Sequence, residues 1–87
     1  MFYVYAIRSE KNSDLYIGYT EDIENRVKTH NQGKVRSTKV NRPWTLLYNE
    51  AYAEKRKARK REYQLKQSYF KKELKERIIN SSEDSSE

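Results

Sequence analysis

An α+β fold is predicted for this chain, a small three-stranded antiparallel sheet in ββαβα order flanked by helices. Three observations predict it. Residues 2–8 alternate as a strand does, a second apolar run returns after a turn, and the later segments change to the three-to-four spacing of helices. With 87 residues, 34% of them hydrophobic, there is material for one domain with a thin core. Eight tyrosines help to fill it, each with a large apolar ring and a polar tip.

Taken in order, the first strand sets Phe2, Val4 and Ala6 on one face and Tyr3, Tyr5 and Ile7 on the other, so both faces must be at least partly covered. Lys11-Asn12-Ser13-Asp14 is turn chemistry, and Leu15-Tyr16-Ile17-Gly18-Tyr19 is the returning strand of a hairpin. Thr20 can cap the next helix, whose positive end suits Glu21 and Asp22. Ile23 and Val27, four apart, bury one stripe of that helix, and Gly33 is its natural stop. Residues 34–42 are polar, basic and aperiodic, hence a loop. Pro43 restarts an extended segment, Trp44-Thr45-Leu46-Leu47-Tyr48, as the third strand.

From about Glu54 a long helical pattern brings Ala58, Leu65, Tyr69, Leu74 and Ile78 to one face. The domain is expected to span residues 1–80. Residues 81–87 form an acidic, Ser-rich tail unable to fold by itself. The expected buried set is Phe2, Val4, Ala6, Ile17, Ile23, Val27, Trp44, Leu46, Leu65 and Tyr69.

Composition then limits function. There is no cysteine, which removes disulfides and thiolate metal sites. No apolar run approaches the ~18–20 residues that cross a bilayer. Residues 1–7 are apolar but follow no basic segment and alternate like a strand, so they read as structure, and a cytoplasmic setting is the expectation. Removing Glu83, Asp84 and Glu87 of the tail from the net charge of +6 leaves residues 1–80 at +9. So small and basic a domain attracts polyanions. Lys55-Arg56-Lys57 and Arg59-Lys60-Arg61 put six cations in seven positions. Their mutual repulsion weakens a helix unless a polyanion offsets it.

Chemistry concentrates in residues spread over three elements. Tyr3-Val4-Tyr5 lies in the first strand and Tyr16-Ile17-Gly18 in the second. Arg26 and His30 share a face one helical turn apart, and Glu62 lies inside the later helix among cations. In the hairpin, Tyr5 and Tyr16 can stand side by side. Gly18, lacking a Cβ, lets a phosphate or another backbone approach closely. Arg26 suits the charge that builds on a phosphoryl group under attack. Glu62, between Ala58 and Leu65 on the inward face, would be an odd core residue without a partner. A carboxylate there can serve as the sole protein ligand of Mg²⁺, which commonly takes one or two carboxylates with water and phosphate.

Leu15-Tyr16-Ile17-Gly18-Tyr19-Thr20, together with Tyr5, Arg26, His30, Asn31 and Glu62, resembles the GIY-YIG nuclease superfamily over residues 2 to about 75. The similarity is strongest to its compact standalone bacterial members, and extends to the nuclease domain of the excinuclease and the catalytic domain of certain homing endonucleases. The resemblance implies a divalent-metal-dependent endonuclease (Mg²⁺ or Mn²⁺) with Tyr5, Tyr16, Arg26 and His30 as catalytic residues and Glu62 as the metal ligand. Gly18, Lys34, Arg36, Lys39, Lys55, Arg59 and Lys66 are the expected nucleic-acid contacts, with DNA favoured over RNA and sequence preference low. The first motif here lacks the family's glycine, Leu74 stands where larger members often have asparagine, and no separate DNA-binding domain is present. The alternative is a nucleic-acid-binding module on the same fold, with little turnover unless a protein partner supplies specificity.

Overall fold

The computed structural model describes residues 1–67 and Glu76. The strands are β1 (Phe2–Ser9), β2 (Leu15–Thr20) and β3 (Trp44–Tyr52), and the helices are α1 (Ile23–Asn31) and α2 (Lys55–Lys66). The sheet is antiparallel in the order β2-β1-β3, so the most apolar strand is the middle one. The ββαβα expectation holds.

Both faces of β1 are covered, and this sets the rest. On one face Val4, Ala6 and Ile17 pack with Ala58 and Leu65 of α2, bordered by Phe2, Tyr19, Tyr48 and Tyr52. On the other face Tyr5, Ile7 and Trp44 pack together with Tyr16, Leu46 and Val27 of α1. Strand alternation alone would send Leu46 and Tyr48 to the same side. They divide because the register jumps from Ala6–Tyr48 to Ile7–Leu46. The extra residue, Leu47, is a bulge that reverses which face the later part of β3 presents.

The helix cap differs from expectation. Asp22 is the N-cap of α1, its carboxylate accepting from the Asn25 amide at 3.1 Å. Thr20 instead forms the turn before it, its hydroxyl oxygen accepting from the Asp22 amide at 3.1 Å. Gly33 does close α1, with φ at +76°, a conformation that suits glycine. The basic loop is not wholly irregular, since Lys39–Asn41 forms a 3-10 turn.

β3 runs four residues beyond Tyr48, although Asn49 and Glu50 are poor strand formers. Pairing with Phe2–Tyr5 of the middle strand supplies the backbone partners. Glu50 finds its own: Tyr48 and Tyr52 hydroxyls donate to it, the latter at 2.5 Å, and Arg61 of α2 donates twice, at 2.9 and 3.2 Å. Burial works against the Glu50 charge, yet the donors hold its carboxyl below the ordinary range.

Of the expected buried set, Val4, Ala6, Ile17, Trp44 and Leu65 are buried, while Phe2, Ile23, Val27 and Leu46 are half-buried. The stripe on α1 is therefore shallower than its spacing implied. α2 stops at Lys66, with Gln67 extended. Tyr69, Leu74 and Ile78, the boundary at residue 80 and the 81–87 tail lie outside the described residues.

Candidate active site

Tyr5 and Tyr16 leave adjacent strands on the same face. Tyr5 pairs with Gly18 and Ile7 with Tyr16, so the two tyrosines are diagonal neighbours with ring centroids 6.5 Å apart. Their surroundings differ sharply. Tyr5 is 1% exposed, whereas Tyr16 is half-buried, edge-on to the His30 ring at 4.9 Å and to Trp44 at 6.4 Å.

His30, fully buried at the end of α1, binds Tyr5 from above: its Nε2 lies 2.8 Å from the Tyr5 hydroxyl and its Nδ1 lies 2.8 Å from Thr38 Oγ1. The Thr38 hydroxyl donates to the Val35 carbonyl at 3.3 Å, so it accepts from His30 Nδ1–H. That leaves Nε2 as the acceptor for the Tyr5 hydroxyl proton. The relay requires a neutral imidazole. Burial, with Arg26 nearby, pushes the His30 pKa down to about 4. Burial likewise pushes the Tyr5 phenol up to about 12, only partly offset by the Arg26 guanidinium beside its hydroxyl.

The hydroxyl of Tyr5 is where the elements meet. Besides Arg26 from α1, the charges of Tyr16 from β2 and Glu62 from α2 are felt there. Glu62 comes from the helix on the other side of the sheet, and helix geometry explains how. Arg61 reaches Glu50 of β3, so Glu62, about 100° further round the helix, leans toward the β2 edge. Its neighbour Arg59 lies over the Tyr19 ring of β2, 5.5 Å from the centroid. Glu62, paired with Arg59, thus lies on the β2 side of α2.

Three assignments change. Gly18 is buried, and a Cβ there would meet the Tyr5 ring, with Cζ at 2.5 Å; its missing side chain makes room for Tyr5 and not for a phosphate. His30 has no exposed surface, so it positions Tyr5 and cannot touch a substrate in this arrangement. The same burial separates Tyr5 from Tyr16, leaving Tyr16 as the accessible hydroxyl.

Of the expected phosphate contacts, Lys34, Arg36, Lys39, Lys55, Arg59 and Lys66 are all exposed. Arg59 and Lys66 also hold Glu62, at 3.6 and 2.9 Å. Among the described residues no group of three or more His, Cys, Asp or Glu gathers in a way that could hold a metal. Glu62, with its side chain 16% exposed, is the lone carboxylate of the site. One hard oxygen donor fits Mg²⁺ or Mn²⁺ completed by water and phosphate, since Arg59 and Lys66 are 60% and 49% exposed and can turn away.

Two supporting residues, Thr38 and Asn31, have no structural role assigned from the sequence. Thr38 sits in the aperiodic loop and is held by the Trp44 indole, which donates to its carbonyl at 2.9 Å. Asn31 clasps the start of β3, accepting from the Trp44 amide at 2.6 Å and donating to the Trp44 carbonyl at 3.0 Å. The burial of His30 did have a signal: it falls seven after Ile23 and three after Val27, on their stripe.

The GIY-YIG catalytic domain family model matches residues 1–76. A UPF0213 protein of Staphylococcus haemolyticus is 46% identical over 65 residues, covering 74% of this chain and 78% of the relative. Another, from Staphylococcus saprophyticus, is 42% identical over 74 residues, covering 84% and 89%. The solution NMR structure of a UPF0213 protein from Bacillus halodurans superposes with a TM-score of 0.53 at 32% identity, covering 85% of this chain and 82% of that one.

Proposed function

We propose that this chain, which belongs to the GIY-YIG catalytic domain family, is a divalent-metal-dependent endonuclease that hydrolyses phosphodiester bonds of nucleic acid with low sequence specificity. The observation that carries this reading is the buried Tyr5–His30–Thr38 hydrogen-bond chain with the Tyr16 ring packed against it, Arg26 near enough to act on the Tyr5 phenol. A binding surface needs cations. It does not need a buried tyrosine–histidine–threonine relay behind a guanidinium.

Each residue then has a task. Tyr16, the accessible hydroxyl, takes the proton of the attacking water. Free phenols ionise only near pH ~10, so this role needs neighbouring positive charge, which Arg26 or the bound divalent ion would supply. Arg26 also faces the charge that gathers on the phosphoryl oxygens. Tyr5, kept protonated and donating to His30, keeps its lone pairs free to face the nearby Arg26 guanidinium, which would position that cation. Glu62 would hold the divalent ion, which when bound polarises the phosphate and stabilises the leaving oxygen. Lys34, Arg36, Lys39 and Lys55 grip the flanking phosphates, giving affinity that falls steeply with salt and varies little with sequence.

One observation favours the second reading, a nucleic-acid-binding module with little turnover. Arg59 and Lys66 already occupy the Glu62 carboxylate. A cleavage assay with Mg²⁺ or Mn²⁺ on duplex, branched and single-stranded DNA and RNA decides between them. Metal-dependent cutting abolished by Glu62→Ala supports the enzyme. Binding without cutting in every substrate and metal supports the module.

A further inference from the structure

Ala58 and Leu65 define the buried direction of α2. Arg56, Lys60 and Tyr63, spaced by four and three, form one stripe on the far side of the helix. Tyr63 is 69% exposed, one of the three large hydrophobic side chains left in water among the described residues, with Met1 and Val40. A single exposed apolar side chain is ordinary on a protein surface. The chemistry around this one is not. Among the described residues neither Arg56 nor Lys60 has a carboxylate partner, while Lys57, Arg59, Arg61 and Lys66 each pair with one. Among the described residues the stripe is an aromatic ring set between two cations that no carboxylate pairs. Tyr63 follows Glu62 in the chain, about 100° further round the helix, so the stripe lies one flank away from that carboxylate.

We propose that Arg56, Lys60 and Tyr63 form a platform for an unpaired nucleic-acid strand, the two cations holding successive phosphates and the Tyr63 ring stacking on a base next to the bond presented to Glu62. The inference rests on the nuclease reading for its ligand and goes beyond it by naming the strand form. In a duplex each base already stacks on its neighbours, so the ring has nothing to offer it. An unpaired base gains a partner, and every base has a face that suits. The occupant is argued from charge. A protein partner for this stripe would need its own acidic, aromatic-seeking surface, whereas a nucleic-acid strand brings both features in each repeat.

The test is equilibrium binding by fluorescence anisotropy without metal, using the full chain, a labelled 20-nucleotide single strand and its duplex. Tyr63→Ala should weaken single-strand binding about 5- to 100-fold and duplex binding less than two-fold, with Tyr63→Phe close to wild type. Because Tyr63 is exposed, circular dichroism and Tm should be unchanged. Equal losses on both forms, or none on either, overturn the platform while leaving the nuclease reading to its own cleavage assay. A Tyr63→Ala effect on self-association with binding unchanged also overturns it, because it assigns the stripe to a second copy of the chain.

Discussion

Gly18→Ala should be severely destabilising although it replaces a strand glycine, and the structure gives the size. In an ordinary strand the change gains ~0.5–1 kcal/mol, because alanine loses less backbone entropy on folding. Here the new Cβ meets the hydroxyl, Cζ and Cε1 of Tyr5, the last two at 2.5 and 2.9 Å. Tyr5 cannot swing into solvent, being 1% exposed beneath His30 and packed with Ile7 and Trp44. Overpacking of this kind costs ~1–3 kcal/mol. Displacing the ring also strands His30 Nε2, a buried acceptor, for another ~1–3 kcal/mol. The net loss is about 1–5 kcal/mol, a large part of the roughly 4–13 kcal/mol a domain this size has to lose. At ~4–8 °C per kcal/mol, Tm falls by roughly 4–40 °C. Thermal and urea unfolding followed by Trp44 fluorescence and circular dichroism measure it. Tyr5→Phe gives the control: it removes the hydroxyl but keeps Cζ, so the double variant stays destabilised. A Gly18→Ala protein melting within about 2 °C of wild type, or above it, refutes the account of Gly18 as the space for Tyr5.

Tyr16→Phe should abolish cleavage in a gel assay while moving Tm by only a few degrees, because the Tyr16 ring packing remains. Tyr5→Phe should show the opposite weighting, costing ~1–3 kcal/mol in urea unfolding through the stranded His30 acceptor. Glu62→Gln should leave stability within ~1 kcal/mol, since its partners are largely exposed, yet remove metal-dependent cleavage. His30, held at about 4 in the fold against an ordinary 6.5, binds its proton more readily in the unfolded chain. Its contribution is therefore fully present above about pH 6.5 and is lost as pH falls toward 4, by up to about 3 kcal/mol; a His30→Gln variant should show a flatter stability profile over that window.

What was legible follows from which physics is local. The hairpin pairing of Tyr5 with Gly18 and Ile7 with Tyr16 is a matter of period-two alternation and turn length, both written in residues 2–19. The Leu47 bulge is not local. Leu46-Leu47-Tyr48 reads as an ordinary strand, and only the need to serve a different helix on each face makes it shift register. The end of α2 at Lys66 was likewise hidden, since the helical spacing continues past Gln67 with no Gly or Pro to mark a stop. Accessibility was legible only in part: His30 follows the Ile23–Val27 stripe, but the cover over Tyr5 depends on Trp44 at the start of β3 and on Thr38 in the loop before it, which holds His30 in place.

That division of burial constrains how such a site can work. Both faces of the middle strand are packed, so a side chain leaving β1 is covered on either side. Gly18 gives Tyr5 room to lie flat toward β2, and the lid of His30 then closes over it. A hydroxyl in that position is rigid and protonated, suited to fixing Arg26 and unsuited to taking up a proton from water. The edge strand has no such cover, and Tyr16 keeps a surface. Glu62 reaches this edge because α2 lies on the opposite face and turns one flank toward β2 while the Arg61–Glu50 pair anchors its other flank to β3. A three-stranded sheet covered on both faces leaves its edges for chemistry, and both Tyr16 and the Glu62 flank of α2 lie on the β2 side.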